Sequence, residues 1–480
     1  MALVILLFRP WVADGLPLFG SDLVLFFYPL LTAIRDSLAA GHFPWWTDRV
    51  FAGMPLAADP QASVFYPPAW ALFTGPFERL MAPYLAVHLL TLGVGASVAF
   101  ARLGASRLGA FLGGAALMLG TTLPGRLVAG HLTYLQAAAW IPWAYAALLG
   151  HLATGERRRL AAVAAFLGLS LLGGFPQITF YGILWLLWTA LSSPRPGVPS
   201  VVRAFGGTLL AVLLAFGVAG AVIVPGWEMS RLSVRIAGMS DLFRLSDSLP
   251  FRHLATFFLP GLFGGDPVQY AAGESYRWWE FTAYNGLLPW LALPIAGAAL
   301  RRHPAFLHVA IPVPATILLA LGANTPVYPL IMRLPGFSLF RIPAQIVFLT
   351  AVALAGITAL AVTTLQFLPA RRWRLTVPAV CGLLLSCAAL GARFFPEKAA
   401  SMLRHLAGGV GATGGTAEGG ALPGAALLPL VTGAVLCLAY AAAVRLHRGR
   451  MALGPVVLAA VVLIDLYLPC RNLIGYFPPD

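Results

Sequence analysis

Apolar residues in this chain run in unbroken blocks of about 17 to 25 positions, separated by polar connectors, instead of alternating with polar residues. At 1.5 Å per residue, a block of that length spans the ~30 Å hydrocarbon layer of a bilayer as an α-helix. The pattern predicts spans over residues 82–101, 108–125, 133–153, 160–175, 177–192, 204–226, 282–300, 304–322, 343–367, 375–394, 425–444 and 451–470. The pair from 160 to 192 is short for two spans and hinges at Gly173-Gly174-Phe175-Pro176, which predicts a tight helical hairpin. The N-terminal run from Ala2 to Phe8 is only a partial block before Arg9, although the alternation of loops demands a crossing there. A shortened first helix is expected, and not a signal peptide, because a basic start and a small-residue cleavage site are missing. The expected fold is an all-α integral membrane protein: one polytopic bundle over residues 1–480, with about 12–13 transmembrane helices.

Three longer stretches fall outside the blocks: residues 17–80, 227–280 and 395–424. The first two are rich in Trp, Tyr, Pro and charge, as loops that pack or line a site are, and are expected to form interfacial helices. The third is rich in Gly and Ala and is expected to be a linker.

Composition removes the soluble alternatives. Hydrophobic residues make up 59% of the chain and charged residues 10%, too few to keep a folded surface dispersed in water. The net charge of +14 raises the question of a polyanionic partner. Its distribution answers it: one set of connectors holds Arg102, Arg107, Arg157 to Arg159, Arg301, Arg302 and their like, with Glu156 as the sole acid, while bases and acids balance elsewhere. That is the positive-inside asymmetry of cytoplasmic loops, so no nucleic acid is expected and the long stretches lie on the extracytoplasmic side. Cys381, Cys387, Cys437 and Cys470 form no CxxC pair and read as helix-packing residues.

On the first long stretch, Phe19-Gly20-Ser21-Asp22 puts a carboxylate where a membrane helix ends and an amphipathic segment to Ala40 begins. Asp22 reads either as a helix N-cap or as a general base aimed at a hydroxyl from the membrane surface. Downstream come Gly41-His42-Phe43-Pro44-Trp45-Trp46, Phe51-Ala52-Gly53-Met54-Pro55, Asp59-Pro60-Gln61 and Phe65-Tyr66-Pro67-Pro68. Further elements are Gly130-His131 with Trp140-Ile141-Pro142-Trp143, Gly174-Phe175-Pro176-Gln177, Pro225-Gly226-Trp227-Glu228, Tyr284-Asn285-Gly286-Leu287-Leu288-Pro289 and Phe340-Arg341-Ile342-Pro343-Ala344. In this order and across nearly the whole chain, they resemble the YfhO-type family of bacterial membrane proteins. That family is similar to the C-type (GT-C) superfamily of membrane glycosyltransferases.

The resemblance implies transfer of a sugar from a polyprenyl-phosphate donor to an extracytoplasmic acceptor, an envelope glycan, a glycolipid or a protein, in a bacterial inner membrane, with Asp22 as base. The residues agree in kind. Neither a G-x-G-x-x-G fingerprint in a βαβ unit nor a P-loop is present for a nucleotide sugar, and an inverting transfer needs a base for the acceptor and cations for the leaving phosphate. Arg341, Arg126, Arg231 and Arg235 are candidates for the phosphate. Snorkelling competes for Arg341, and interfacial anchoring for Arg126 and His131. Glu228 reads as a partner of Arg231 or a second cavity carboxylate. Gln177 reads as a helix-bridging amide or a substrate contact, and Asp59, Tyr66 and Glu280 are further substrate-contact candidates. Trp278 and Trp279 are expected in an aromatic belt. A divalent metal stays open, because some superfamily members use one, but the first loop has neither H-x-x-x-H nor a D-x-D cluster, so metal dependence is not predicted and no other cofactor is certain. A transporter or flippase of lipid-linked sugars and a non-catalytic envelope-assembly protein are the competing classes.

Overall fold

The computed structural model of the chain describes residues 2–50, 52–192, 201–232, 240–262, 278–367, 373–395, 397–399, 421–448, 454–471 and 473–476. The fold is an all-α polytopic membrane bundle, and the expected blocks are its helices. Phe77–Arg102, Arg107–Leu119 with Thr122–Ala129, Val201–Val218, Val347–Phe367, Trp373–Phe394 and Ala421–Arg448 are long and apolar enough to cross a bilayer. The other blocks are helical but shorter or interrupted. Leu132–Ala138 gives way to Ile141–Thr154 just before Pro142, and Phe306–Ala310 to Pro312–Ala320 at a proline. A proline ring and its missing N–H disrupt the ladder at those points. Arg157–Leu172 and Pro176–Ser192 form the expected hairpin around Gly173 and Gly174.

The span expected at 282 begins only at Leu288 (Leu288–Leu300), because residues 282–287 form an irregular segment that bonds to the turn at Thr121. At the N-terminus, Ala2–Leu7 and Arg9–Asp14 are two short helices meeting at Phe8. A two-residue antiparallel pair, Leu18–Phe19 with Gly475–Tyr476, ties the start of the first loop to the chain beyond the last helix.

The helix from Val347 runs through the middle of the bundle and is buried along most of its length. Close approach depends on small residues. A Cβ on Gly109 would collide with the Ala359 carbonyl oxygen, and one on Gly113 would meet the Ala355 oxygen at 2.8 Å. Glycine lets the two backbones touch, the usual device where lipid offers no hydrophobic drive for helix association. Val201–Val218 and the helix from Trp373 are peripheral and present Val202, Leu213, Leu383 and Leu384 outward. Such faces would aggregate in water and are at home against acyl chains.

The ends of the bundle differ as the charge pattern requires. At one end Arg102 donates to the Ala146 carbonyl, Arg159 lies beside Gly150, and Arg158 and Arg159 pair with Glu156. Asp22, Gly130-His131, Gly174 and the 282–287 segment gather at the other.

Candidate active site

Asp22 opens a helix but does not cap it. Its backbone is already helical (φ −73°, ψ −28°), whereas a capping residue needs extended angles to turn its side chain back on the first N–H groups. A π-helical turn, Leu23–Phe27, and the helix Tyr28–Ala39 follow. The carboxylate is therefore left outside the backbone ladder, 50% exposed, with Oδ2 3.3 Å from Nε2 of His131.

Two glycines create this meeting. Gly130 ends the helix Thr122–Ala129 in the left-handed region (φ +82°), and Gly20 packs on it so closely that a Cβ there would stand 2.7 Å from the Gly130 Cα. A Cβ on Gly130 would meet the Leu23 nitrogen at 2.5 Å. Only glycine accepts both the dihedral and the contact. Ser21 adds a hydrogen bond from its hydroxyl to the Ala129 carbonyl.

Behind His131 lies a buried ion pair. Arg126, 0% exposed, places Nη1 2.5 Å from Glu280 Oε2, itself 2% exposed, and lays its guanidinium over the Tyr134 ring at 4.7 Å. Burial alone would raise the Glu280 carboxyl. The opposing charge of Arg126, helped by His131, outweighs it and holds the group below the ordinary carboxylate value. Arg126 is thus an interior residue, neither the interfacial anchor nor the lipid-facing phosphate ligand expected from the sequence. Trp279 meets the His131 ring edge-on at 6.4 Å and packs beside Gly125, so it belongs to this cluster and not to an aromatic belt.

The segment carrying Glu280 is pinned further along. The Tyr284 carbonyl accepts from the Thr121 N–H, its own N–H donates to the Thr121 hydroxyl, and its hydroxyl donates to Asp465, which also accepts from Tyr440 (2.7 Å) and the Leu287 N–H (2.8 Å). Asp465 is not among the candidates the sequence suggested. A signal for it exists all the same: it is the single acid inside the last apolar block.

The remaining candidates divide. Gln177 is the helix-bridging amide, donating to the Arg341 carbonyl at 2.7 Å and to the Tyr181 hydroxyl at 2.9 Å. Arg341 is half-buried, with its guanidinium 5.0 Å from the Phe243 ring in the second loop. Tyr66 is fully buried, its hydroxyl bonded to His88 (2.7 Å) and Trp140 (2.7 Å), so it fastens the first loop to the bundle and does not line a surface. Asp59 caps the turn Pro60–Ala62 through the Gln61 N–H (2.9 Å), and burial pushes its carboxyl up. Glu228 and Arg231 are both exposed at the end of Gly220–Arg231 and, among the described residues, form no ion pair with each other. Arg235, residues 263–277 and most of the 395–424 linker lie outside the described residues. Among those described, no group of three His, Cys, Asp or Glu side chains is arranged to hold a metal ion.

Against solved structures, the chain matches ArnT from Cupriavidus metallidurans bound to undecaprenyl phosphate at 18% identity, with a TM-score of 0.51 over 98% of this chain and 75% of that one. The two chains share a fold. The apo form of ArnT matches at a TM-score of 0.47, also 18% identical, over 92% of this chain and 71% of that one. No protein-family model and no curated protein matches the chain. The likeness therefore rests on the arrangement of helices. At this identity it speaks for the fold alone.

Proposed function

We propose that the protein is a membrane glycosyltransferase that moves a sugar from a polyprenyl-phosphate donor to an acceptor on the extracytoplasmic face of a bacterial inner membrane. The observation that carries this reading is Asp22: a half-exposed carboxylate, uncommitted to capping, at the end of the bundle opposite the basic loops. The shared fold supports it, and the ArnT neighbour holds undecaprenyl phosphate.

In the reaction, the acceptor oxygen attacks the anomeric carbon while Asp22 takes the hydroxyl proton. The bond from the anomeric carbon to the phosphate oxygen breaks, and polyprenyl phosphate leaves with the electron pair. The lipid tail stays in the bilayer, since withdrawing it costs about 0.8 kcal/mol per CH₂, so its phosphate is met at headgroup level. Arg341, half-buried against the second loop, is assigned to that phosphate, with Arg231 and Arg235 as further donors. The loops 17–80 and 227–280 supply the acceptor side, where envelope glycans, glycolipids and proteins are the candidate classes.

A transporter would keep a working acid within the bilayer. Asp465 is the acid at that depth, and its three hydrogen bonds give it a structural job, which favours transfer over transport.

The test is Asp22→Asn in cells otherwise lacking the gene, with mass analysis of lipid-linked sugars and envelope glycans. The expected result is normal membrane insertion, a lipid-linked monosaccharide that accumulates as in the deletion, and loss of its glycan product. Wild-type glycan from the variant would end the proposal.

A further inference from the structure

The contact between His131 and Asp22 goes beyond a neighbouring pair of polar residues. Asp22 has two carboxylate oxygens, and the reaction proposed above uses one. Oδ2 faces His131 Nε2 at 3.3 Å. The His131 ring has little freedom: its backbone N–H bonds to the Arg126 carbonyl, Gly130 fixes its turn, and Trp279 meets the ring edge-on. Its second nitrogen, Nδ1, is buried without a hydrogen-bond partner. The ring can therefore offer a directed donor to one acceptor alone, through Nε2. The charged and titratable groups around it are Asp22 on the exposed side and Glu280, Arg126 and Tyr134 on the buried side, where Glu280 is ion-paired with Arg126.

We infer that His131 is a positioning residue for Asp22: its Nε2–H holds Oδ2, so that Oδ1 is presented to the acceptor hydroxyl. This inference rests on the proposed transferase reading. Catalytic contacts of this kind are commonly long in the unliganded enzyme and tighten when substrate arrives. Without the restraint, a half-exposed carboxylate rotates among solvated rotamers, and orientation of a reacting group is worth orders of magnitude in rate. The buried ion pair then acquires a purpose. By fixing Trp279 behind the imidazole, the Arg126–Glu280 pair makes the wall against which His131 is held.

Two substitutions at position 131 separate donation from shape. His131→Gln keeps an N–H donor near the Nε2 position, and His131→Phe keeps the ring and loses the donor. Each is expressed as the full chain in deletion cells, and product glycan and accumulated lipid-linked sugar are measured per inserted protein. The expected outcome is transfer within several-fold of wild type for the Gln variant and a loss of roughly ten- to a hundred-fold for the Phe variant. Purified Phe variant is expected to bind undecaprenyl phosphate, used as the probe, as wild type does. Wild-type transfer by the Phe variant, or equal loss in both, overturns the positioning role, as does a Phe variant whose loss is matched by lost probe binding. An Asp22→Asn chain that transfers normally in the same cells overturns the transferase reading and the inference with it, whereas failure at position 131 alone leaves Asp22 in place.

Discussion

At the scale of single residues, the site depends on a glycine as much as on an acid. Gly130 combines a positive φ with a space already filled by the Leu23 backbone. Gly130→Ala is therefore expected to destabilise the chain by about 1–3 kcal/mol and to separate Asp22 from His131. A lowered thermal midpoint in detergent, together with loss of product glycan, checks this; an unchanged midpoint contradicts it. The Glu280 carboxyl gives a second residue-level expectation. Its value in the fold lies below the ordinary one of 4.5, so the unfolded chain binds the proton more tightly. The stability it contributes is fully present above pH 4.5 and is lost as pH falls through the lower folded value. Glu280→Gln leaves Arg126 buried without a counter-charge and is expected to cost about 3–5 kcal/mol near neutrality. The gap in thermal midpoint between wild type and variant should then narrow below pH 4.5, and a gap independent of pH would refute it.

At the scale of elements, what matters is how the second loop returns to the bundle. Residues 282–287 are neither helix nor free loop; they are stitched to the Thr121 turn on one side and to the last helix on the other. Asp465→Ala would strand two tyrosine hydroxyls and a backbone N–H in the interior, at roughly 1–3 kcal/mol for each group left unpaired. The expected result is a chain that inserts but unfolds at a much lower temperature, measured by thermal denaturation in detergent; a midpoint equal to wild type would show that the pin adds nothing to stability. The blocks at 282–300 and 451–470 are legible as spans in the sequence. Their joining through Asp465 is not, because a hydrogen bond between residues nearly two hundred positions apart leaves no local pattern.

At the scale of the whole molecule, the segregation of charge implies an orientation. Glu78 and Arg158 are exposed at opposite ends of the bundle. In a chain with its four cysteines replaced by serine, Glu78→Cys is expected to react with a membrane-impermeant maleimide on intact cells. Arg158→Cys is expected to react only after lysis. The opposite labelling would invert the topology and put Asp22 on the cytoplasmic face.

The blocks of apolar residues alone determined the helical membrane fold, because bilayer thickness imposes a length on each span that no tertiary contact alters. The ordered motifs around Asp22, Gly130 and Arg341 carried the GT-C resemblance as well, since their order along the chain needs no knowledge of how the helices pack. Only the tertiary structure decided which candidates reach a surface. Arg126 and Glu280 carry the same chemistry as Arg341 and Asp22 but are turned inward and paired with each other, and the Tyr66 hydroxyl is spent on His88 and Trp140. Partnership between polar groups distant in sequence is set by packing, and packing is where the distinction between a structural charge and an available one arises.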